Sequence, residues 1–247
     1  MGQLRGAGQP PGSGTDRGNA ERMRRVSSAL QRCSLFAGVK GAGFATLSNE
    51  GTIVRVARRR VVYTQADKAP SLYVVSAGRA RVVRQGGEDR ALTVAYRGAS
   101  EIIGETAIVD GLYQDTATAT EQLEAVRLPL PSVRALLREN PDFANAMLEL
   151  MVERRLQAER RIESLLSRTV ESRVAEFLLD AADRHGIPES RGVLIGVKYT
   201  HQEIADYVGS TRETVTLTLG ELRRREILLF DHRRIVIADP SALRMLV

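Results

Sequence analysis

The feature that most constrains the fold is a change of sequence periodicity at Asn140-Pro141. Between about residues 50 and 130, short apolar–polar alternations are separated by glycine-containing turn signals such as Ala77-Gly78. From Asp142 to Leu166 the sequence contains no glycine or proline. Many short alternating strands favour an all-β sandwich or barrel, whereas the uninterrupted stretch favours one helix about 39 Å long at 1.5 Å per residue. We therefore expect a β-rich region followed by a helical one.

The long helix, predicted over 141–167, has one apolar stripe and a heavily charged opposite side. Such a seam on a long helix favours pairing with the same helix of a second copy. The residues predicted to form this dimer interface are Met147, Met151, Ala158, Ile162 and Leu165. The alternative is a helix that packs only on its own domain.

Composition restricts the class of protein further. The 247 residues suffice for two ordinary domains, and with no Trp and 4% aromatic residues the core must be mostly aliphatic. No run approaches the ~18 consecutive apolar residues of a membrane span, and we expect a cytoplasmic protein that has no membrane partner. The single cysteine, Cys33, excludes an intramolecular disulfide and a four-thiolate iron–sulfur cluster, and we expect it to be a small packed residue.

The net charge of +6 is distributed unevenly along the chain. Residues 1–40 contain seven basic and two acidic side chains, whereas residues 168–247 contain twelve of each. The glycine-rich start buries too little apolar surface to offset the entropy of ordering, so residues 1–25 are predicted to be a disordered basic tail. The C-terminal region must therefore bind any nucleic acid through the placement of charge, since it has no excess.

Two potential helix starts lie ten residues apart near the C-terminus. Thr200 is followed three residues later by Glu203, and Ser210 is followed three residues later by Glu213. Each pair has the spacing of a capping box, in which a hydroxyl and a carboxylate bind the free N–H groups of a helix start. Gly209 stands where a tight turn needs a left-handed residue. The spacing predicts a helix-turn-helix.

The second helix of this motif, predicted over about 211–225, would present its N-terminal side chains to base edges in the major groove. Arginine binds O6 and N7 of guanine and glutamate accepts from N4 of cytosine, so Arg212 and Glu213 suit this task. The residues predicted to read bases are Thr211, Arg212, Glu213 and Thr216. The opposite interpretation, a surface helix with ordinary charges, is disfavoured by the motif around it.

A strand–turn–strand pattern follows this helix. Residues 227–230 and 235–237 are apolar, and the polar tip 231–234 between them predicts a hairpin wing. Hydroxyls at helix starts, and arginines at the helix end and wing tip, suit phosphate groups. The predicted phosphate-binding residues are Thr200, Ser210, Arg223, Arg224, Arg225, Arg233 and Arg234.

With these motifs the chain resembles the Crp/Fnr family of bacterial transcription regulators over about residues 28–247. The matching segments are Leu35-Phe36-Ala37-Gly38, residues 71–79, Gly104-Glu105, residues 154–157, residues 202–205 and residues 210–215. The resemblance implies an α+β fold: an N-terminal cyclic-nucleotide-binding-type β-barrel (jelly roll), a long dimerisation helix and a C-terminal winged helix-turn-helix. The expected domains are the tail over 1–25, a sensor-type barrel over 26–140, the dimerisation helix over 141–167 and the DNA-binding domain over 168–247.

The resemblance also implies a function. Such a regulator is a homodimer that binds a pseudo-palindromic site in double-stranded DNA, with RNA polymerase as a further partner. The family usually has another arginine five residues after the first one in the reading helix. Leu217 stands there in this chain, and its side chain suits a thymine methyl group, so Leu217 joins the predicted base-reading residues.

The nucleotide pocket departs from the family pattern. Members that bind cyclic AMP carry Arg-Ser-Ala or Arg-Thr-Ala about ten residues after Gly-Glu, and that arginine pairs with the cyclic phosphate. The corresponding segment here resembles Asp115-Thr116-Ala117. At ~4 Å and an effective dielectric near 20, an arginine would attract the phosphate by ~4 kcal/mol, whereas an aspartate would repel it by a similar amount. The residues assigned to this degenerate pocket are Gly104, Glu105, Asp115, Thr116, Arg155, Glu159 and Arg160.

The helix side of the pocket also departs from the pattern. Glu159 and Arg160 resemble the positions that supply Thr and Ser to adenine, and their bulky charges should obstruct it. Arg155 or Arg160 is a candidate replacement cation, and Arg155 with Glu105 is a candidate structural bridge. We expect regulation without cyclic AMP and no cofactor. The alternatives are a cyclic-nucleotide-responsive regulator with a rearranged pocket, or a nucleotide-binding module that acts on a protein partner.

Enzymatic function is disfavoured. A metal-dependent enzyme on a double-stranded β-helix barrel needs a histidine–carboxylate site, and the barrel region has no histidine. His201 and His232 stand at a helix start and a hairpin tip without a Cys or carboxylate cluster, so solvated or phosphate-facing roles are expected and no metal site. No nucleophile or acid–base constellation stands out, and no catalytic residue is assigned.

Overall fold

A computed structural model describes residues 13–86, 91–232 and 234–247 of the chain. The chain divides into two compact units: residues up to Val82 together with Tyr96–Leu150, and Val83–Ala95 together with Met151–Val247. Among the helices within the described ranges, none is both long enough and apolar enough to span a lipid bilayer.

The elements before the long helix alternate strands with short helices. In chain order they are α1 (Ser13–Arg32), a 3-10 turn (Ser34–Phe36), α2 (Ala42–Glu50), β1 (Thr52–Val56), β2 (Val61–Tyr63), β3 (Ser71–Ala77), β4 (Ala80–Gln85), β5 (Ala91–Arg97), β6 (Ile102–Ile103), α3 (Ala107–Asp110), β7 (Thr116–Ala119), β8 (Leu123–Pro129) and α4 (Leu130–Glu139). The strands form two four-stranded sheets, ordered β1-β8-β3-β6 and β2-β7-β4-β5. Sheet neighbours that are distant in the chain are typical of a jelly roll.

Aliphatic and small side chains fill the space inside the barrel, with a few tyrosines among them. Val75, Ala117 and Leu123 are fully buried there. The strand alternation that the sequence shows is therefore the alternation between this interior and the outside. Cys33 is a core residue, 2% exposed, which agrees with the packed role expected for it.

The start of the chain differs from the prediction of a disordered tail over 1–25. Residues 1–12 lie outside the described residues, but residues 13–25 form the first part of α1. Val26 and Leu30 of this helix are fully buried. Before them, the Arg22 guanidinium donates to the Gly51 carbonyl (2.7 Å) and Arg25 forms an ion pair with Glu124 (3.1 Å). These contacts stabilise the start of α1. Their partners lie far away in the chain, so the local composition does not reveal them.

The remaining elements form the long helix and the C-terminal part. They are α5 (Pro141–Ser167), α6 (Val170–His185), β9 (Gly186–Glu189), β10 (Gly192–Ile195), α7 (His201–Val208), α8 (Arg212–Arg224), β11 (Leu228–Asp231), β12 (Arg234–Ile237) and α9 (Pro240–Arg244). The prediction of one uninterrupted helix is confirmed by the 27 residues of α5. β11 and β12 form the predicted wing hairpin, and β10 and β9 extend it to a four-stranded antiparallel sheet ordered β11-β12-β10-β9.

The C-terminal elements share one aliphatic core. Leu178 of α6, Ile204 of α7 and Leu219 of α8 are at most 1% exposed and pack in the same cluster as Leu228 and Ile237 of the wing. This core fixes the angle between α7 and α8, which is the geometry of a helix-turn-helix. The predicted architecture of barrel, long helix and winged helix-turn-helix is therefore confirmed.

Candidate nucleic-acid interface

The first helix of the motif, α7, begins at the capping box predicted at Thr200 and Glu203. The Glu203 backbone N–H donates to the Thr200 hydroxyl (3.1 Å), and the Thr200 backbone N–H donates to the Glu203 carboxylate (2.8 Å). The helix ends at Gly209, whose φ of +66° is in the left-handed region that favours glycine. A Cβ at Gly209 would lie 2.8 Å from Cδ2 of Leu165, so a larger residue would displace that side chain in addition to straining the backbone.

The second helix, α8, begins one residue later than its predicted cap. Thr211 is the N-cap, and its hydroxyl accepts from the Thr214 backbone N–H (3.2 Å). The predicted capping box between Ser210 and Glu213 is therefore wrong. Ser210 belongs to the turn instead, since its own backbone N–H donates to the Ala205 carbonyl (3.0 Å). Two consecutive hydroxyl residues left the choice open in the sequence, and the geometry of the turn decides it.

One side of α8 is buried and the other is exposed. Val215, Leu219 and Leu222 are at most 1% exposed and pack in the core. The exposed residues at the N-terminal end are Thr211, Arg212, Glu213, Thr216 and Leu217. All the predicted base-reading residues therefore lie on the outer side of α8, and Leu217 is 74% exposed.

Arg212 and Glu213 are poised for an external partner. Across the described part of the chain, neither side chain makes a hydrogen bond or an ion pair with another residue. The start of α8 adds unsatisfied backbone N–H groups and the positive end of the helix dipole. A guanidinium and a carboxylate at such a position can exchange water for base edges without first breaking an internal bond.

Thr216 differs from these two residues, because its hydroxyl is already used. It donates to the Arg212 backbone carbonyl (2.8 Å) and lies 2.8 Å from Nδ1 of His201. Because the hydroxyl proton points to the carbonyl, we assign the proton of the second bond to Nδ1 of His201. Burial, and then the charge of Arg212, hold the pKa of His201 below its usual value. The methyl group of Thr216 is therefore the part of this exposed side chain that has no hydrogen bond to make.

The arginines expected to bind phosphate fall into two groups. Arg225 forms an ion pair with Glu171 of α6 (2.6 Å), and Arg224 forms one with Glu221 of its own helix. Arg223 is exposed, and its guanidinium has no hydrogen bond or ion pair within the described residues. Arg223 is therefore the cation at the end of α8 that needs no internal contact broken to bind a phosphate, whereas Arg225 also holds α8 to α6.

The wing places further cations beside this helix. Arg234 pairs with Asp231 in the strand register across the hairpin, and Arg233 lies outside the described residues. The Asp231 carboxylate binds Arg191 (2.7 Å), whose hydrogen bond holds the pKa of Asp231 below its usual range. His232 is 96% exposed at the tip. Within 13–86, 91–232 and 234–247, no group of three His, Cys, Asp or Glu side chains is arranged to hold a metal ion.

A residue that the sequence analysis missed, Arg161 of α5, holds the end of α7. Its guanidinium donates to the Tyr207 carbonyl (2.6 Å) and lies 4.4 Å from the centre of the Tyr207 ring. It also donates to the carbonyls of Thr93 and Val94 in β5. A cation at a helix C-terminus is favoured by the helix dipole. No sequence pattern marks Arg161, because its partners are backbone carbonyls 46 to 68 residues away.

The barrel side of the predicted nucleotide pocket is filled by tyrosines. The Tyr63 hydroxyl donates to the Asp115 carboxyl group (2.7 Å), and the Tyr63 ring stacks on the Tyr113 ring with 4.0 Å between centroids. Burial, and then Asp115, raise the pKa of Tyr63. A Cβ at Gly104 (φ +80°) would approach Cε1 of Tyr113 to 3.0 Å. The Thr116 hydroxyl accepts from the backbone N–H of Gln65 (2.9 Å).

The predicted pocket residues on α5 belong to the second unit. The Arg155 guanidinium forms an ion pair with Glu159 on its own helix (2.8 Å), and both side chains are exposed. This contact raises the pKa of Arg155. Arg160 is exposed as well. The ion pair of Arg155 is therefore formed with Glu159 along the same helix. The sequence offers Glu105 as the alternative partner of Arg155.

The apolar seam of α5 is not the stripe predicted for the dimer. Met147 is 6% exposed and belongs to the core, so it cannot be a dimer contact, and Met151 and Leu165 are half-buried. The exposed apolar residues of α5 are Leu148, Val152, Leu156, Ile162 and Leu166. At 3.6 residues per turn these residues occupy about a third of the helix circumference. The centre of this face is roughly a quarter-turn from the centre of the predicted stripe. Ile162 belongs to both sets, and Ala158 of the predicted set is exposed at the edge of the face.

The reason for this error is the polarity of the inward side of α5. Ser164 is 5% exposed, and its hydroxyl binds Glu176 (2.6 Å). Arg154 and Arg161 are only partly exposed on the same side. A hydrophobic pattern predicts that serine and arginine face solvent. The predicted stripe therefore lies between the buried and the exposed sides of α5.

Fold and interface define the class of protein: a winged helix-turn-helix DNA-binding protein with a sensor-type barrel. Residues 172–246 match the profile of the Crp-like helix-turn-helix domain, and residues 53–140 match that of the cyclic nucleotide-binding domain. A global nitrogen regulator of Synechococcus elongatus is 32% identical over 189 residues, which cover 75% of this chain and 85% of the relative. The chain belongs to the Crp/Fnr family of transcription regulators and is itself a DNA-binding transcription regulator.

Two further similarities concern the sequence and the fold. A CRP-like cAMP-activated global transcriptional regulator of Mycobacterium tuberculosis is 26% identical over 219 residues, 88% of this chain and 98% of the relative. Among solved structures, a CooA mutant from Carboxydothermus hydrogenoformans superposes with a TM-score of 0.72, covering 88% of this chain and 94% of that one. At 23% identity, the second similarity concerns the fold alone.

Proposed function

We propose that this regulator acts as a homodimer on a pseudo-palindromic DNA site, with one α8 in the major groove of each half-site, and that it does so without cyclic AMP. The observation that carries the proposal is the outer side of α8. There Arg212 and Glu213 are exposed and have no partner among the described residues. Paired helices of this kind contact half-sites about 34 Å apart, one turn of the duplex.

Each side chain on this face suits a particular base contact. Arg212 binds O6 and N7 of guanine, and Glu213 accepts from N4 of cytosine. Thr216 presents its methyl group, because its hydroxyl is bound to Arg212 and His201. Leu217 offers an apolar surface to a thymine methyl group at the next position. We expect a half-site with a G·C pair opposite Arg212 and Glu213.

Phosphate contacts surround these base contacts. Arg223 and Arg234 supply cations that add affinity without sequence preference, and Arg233 is a further candidate. Thr200 and Ser210 stand at the ends of the turn, where hydroxyls suit phosphate oxygens. Arg224 and Arg225 contribute less than Arg223, because each already neutralises a carboxylate.

The seam of α5 is the proposed dimer interface. Leu148, Leu156 and Leu166 are 62%, 46% and 84% exposed, which is costly for an isolated helix and favourable when two copies pair. The ion pair of Arg155 and Glu159 lies within the same third of the helix surface. An exposed apolar face on a long helix favours pairing with a second copy, which would bury that face.

Independence from cyclic AMP is supported by the barrel. A cyclic phosphate needs a cation, and Asp115 occupies the matching position of the sequence. Its carboxyl group is bound by the Tyr63 hydroxyl, and Tyr63 stacks on Tyr113 beside Gly104. A nucleotide would have to displace this stack and separate a buried hydrogen bond, which costs about 1–3 kcal/mol for each polar group left unpaired.

A cyclic-nucleotide response is the second candidate function. It is favoured by the name of the mycobacterial relative, which is described as cAMP-activated. Arg155 or Arg160 would then replace the missing cation, and Arg155 would have to leave Glu159 to do so. We further propose that the protein acts in the cytoplasm, where the dimer bound at a promoter contacts RNA polymerase, and that it catalyses no reaction.

Selection from a library of random duplexes, with and without millimolar cyclic AMP, tests the proposal. We expect enrichment of the same inverted repeat in both arms, twice the monomer mass by light scattering, and no saturable heat with cyclic AMP. Enrichment only with cyclic AMP would overturn the cyclic-AMP independence. A monomer that enriches no sequence would overturn the whole proposal and favour a module that acts on a protein partner.

A further inference from the structure

A cleft of about 330 Å³ opens in the first unit between α1 and the sheet β1-β8-β3-β6. Its lining comes only from α1, β1, β3 and β8, so it is separate from the Gly104 turn and from Asp115. This volume is at the lower end of the range for small-molecule sites. The function proposed above assigns no role to this cleft.

The wall contributed by α1 is basic. Arg24, Ser28 and Arg32 follow one another at four-residue intervals, which places them on one side of the helix. The Arg32 guanidinium donates to the Ser28 hydroxyl (2.8 Å). Arg24 has no hydrogen bond or ion pair in the part of the chain that the structure describes, and no carboxylate there is paired with Arg32. Two guanidinium groups on this wall therefore keep an uncompensated charge.

The wall contributed by the sheet has its one negative charge already offset. Glu124 accepts from Arg25 (3.1 Å) and from Arg55 (2.9 Å), its direct partner in the strand register. The hydrogen bond from Arg55, with further support from Arg25, holds the pKa of Glu124 below its usual range. Glu124 stays ionised and bound to two arginines, so it does not neutralise Arg24 and Arg32.

A β-bulge shapes the same wall. Val75 pairs with Ala125 and Ala77 pairs with Glu124, which leaves Ser76 as the extra residue of β3. The Ser76 hydroxyl donates to the Glu124 backbone carbonyl (3.0 Å). Bulges redirect side chains and are enriched beside binding sites. Here the bulge brings a hydroxyl to the wall of the cleft.

Apolar residues complete the lining. Ile53 of β1 is half-buried and supplies the accessible apolar surface. Val126, its partner across the sheet, is fully buried and Ala29 is 4% exposed, so these two form the floor beneath it. The cleft thus combines a cationic wall with an apolar surface. An inorganic ion would leave that surface covered by water, whereas an organic anion would cover it.

We propose that this cleft binds a small organic dianion, with a phosphate or dicarboxylate head held by Arg24 and Arg32 and a compact apolar part against Ile53. The lining carries three arginines and one glutamate, which leaves a charge of two to be balanced. Guanidinium groups suit both heads, because they bind paired oxygens through two parallel hydrogen bonds. The Ser28 hydroxyl accepts from Arg32 and keeps its own proton, so it adds one donor at the edge, whereas the Ser76 proton is bound to the Glu124 carbonyl.

Calorimetric titration of the full-length protein at constant ionic strength tests this site. The probes are phenyl phosphate, phenylsuccinate, inorganic phosphate and phenol. We expect one saturable site per chain for phenyl phosphate or phenylsuccinate with a Kd below about 10 mM, weaker binding of inorganic phosphate, and none of phenol. The tighter of the first two identifies the head group. Loss of one charge-assisted hydrogen bond should weaken binding about tenfold in Arg24→Gln and in Arg32→Gln.

The matched control is Arg138→Gln. Arg138 is an exposed arginine of α4 in the same unit, has no partner among the described residues and lies outside the cleft. We expect it to bind phenyl phosphate or phenylsuccinate as the unchanged protein does, and all three variants to keep the same melting temperature, since these arginines are exposed. Equal weakening in all three variants would show a general charge effect and overturn the site. Absence of saturable binding by any probe would overturn it as well.

Discussion

The start of α8 and the interior of the barrel use polar side chains in opposite ways. Arg212 and Glu213 are exposed and have no partner among the described residues. In the barrel, the Tyr63 hydroxyl is bound to Asp115, and the Tyr113 hydroxyl donates to the Ser71 carbonyl (2.6 Å). The first arrangement can bind a partner at the cost of displacing water, whereas the second must first break internal hydrogen bonds.

This difference is the basis of the proposed function. DNA binding needs polar groups that are available before the partner arrives, and Arg212 and Glu213 at the start of α8 are such groups. A nucleotide pocket needs the same, whereas Tyr63 and Asp115 in the barrel are bound to each other. The comparison predicts that substitutions at α8 and along α5 change DNA binding, whereas substitutions at Tyr63 and Asp115 change stability.

The largest effect is expected from the seam of α5. Leu156→Glu places a charge in the exposed apolar face and should dissociate the proposed dimer, so that each copy binds its half-site alone. Because two linked sites gain about 100-fold or more in affinity over one, DNA binding should weaken by at least that factor. Light scattering measures the mass, and fluorescence anisotropy with a palindromic duplex measures the affinity.

Ala158→Glu is the control for the position of the seam. Ala158 is exposed and belonged to the stripe predicted from sequence, but it lies roughly a quarter-turn from the centre of the observed seam. We expect this variant to remain a dimer. A monomeric Ala158→Glu together with a dimeric Leu156→Glu would restore the original prediction and contradict the structure-based one.

The next effect concerns the barrel. Tyr63→Phe removes one donor of a buried carboxyl group and should lower the free energy of unfolding by about 2–3 kcal/mol. Affinity for DNA should stay within twofold of the original, because the residue belongs to the pocket alone. Denaturant unfolding measures the first quantity and anisotropy the second.

A double-mutant cycle with Asp115→Asn makes this prediction specific. If Tyr63 and Asp115 interact as the structure shows, the two losses should be non-additive by at least about 0.5 kcal/mol. Additive losses would mean that Tyr63 stabilises the barrel only through its ring, and the argument for a pocket closed by this bond would fail.

The sequence predicted what depends on local spacing. The capping box at Thr200, the turn at Gly209, the wing hairpin and the uninterrupted α5 each follow from residues close together in the chain. The alternation of short strands indicated a sandwich or barrel, and the family resemblance specified a barrel of the cyclic-nucleotide-binding type. These features positioned the recognition helix to within one residue at each end.

What the sequence could not predict depends on distant partners. Tyr63 and Asp115 are 52 residues apart in the chain. Arg161 donates to backbone carbonyls, which every residue has, so no residue type in the sequence marks its partners. Met147 is predicted as an interface residue because the sequence does not distinguish an apolar side chain that packs in its own core from one that contacts a second copy. The structure places Met147 in the core. The N-cap of α8 was misplaced because Ser210 and Thr211 offer equivalent hydroxyls, and only the turn selects one.

A smaller and more specific effect is expected at the reading helix. Arg212→Ala should weaken binding by about 1–3 kcal/mol and relax the preference at one base position, whereas Arg223→Ala should weaken all sequences alike and reduce the salt slope by about one. Arg223 is the better control than Arg224, because Arg224 is paired with Glu221. Binding to duplexes varied at single positions measures both. Equal losses on every duplex for Arg212→Ala would contradict a base contact.

The smallest effect is expected from His201, and its sign follows from linkage. The folded pKa of His201 lies below its unfolded value because of burial and the charge of Arg212. The unfolded state therefore binds more protons between these two values, so stability is fully present above about pH 6.5 and decreases as the pH falls toward the folded pKa. His201→Gln should remove this decrease while keeping a side chain able to donate to Thr216. Denaturant unfolding at pH 7.5 and pH 5.5 should show the original protein losing more stability than the variant, and a larger loss in His201→Gln would contradict the neutral histidine that orients Thr216.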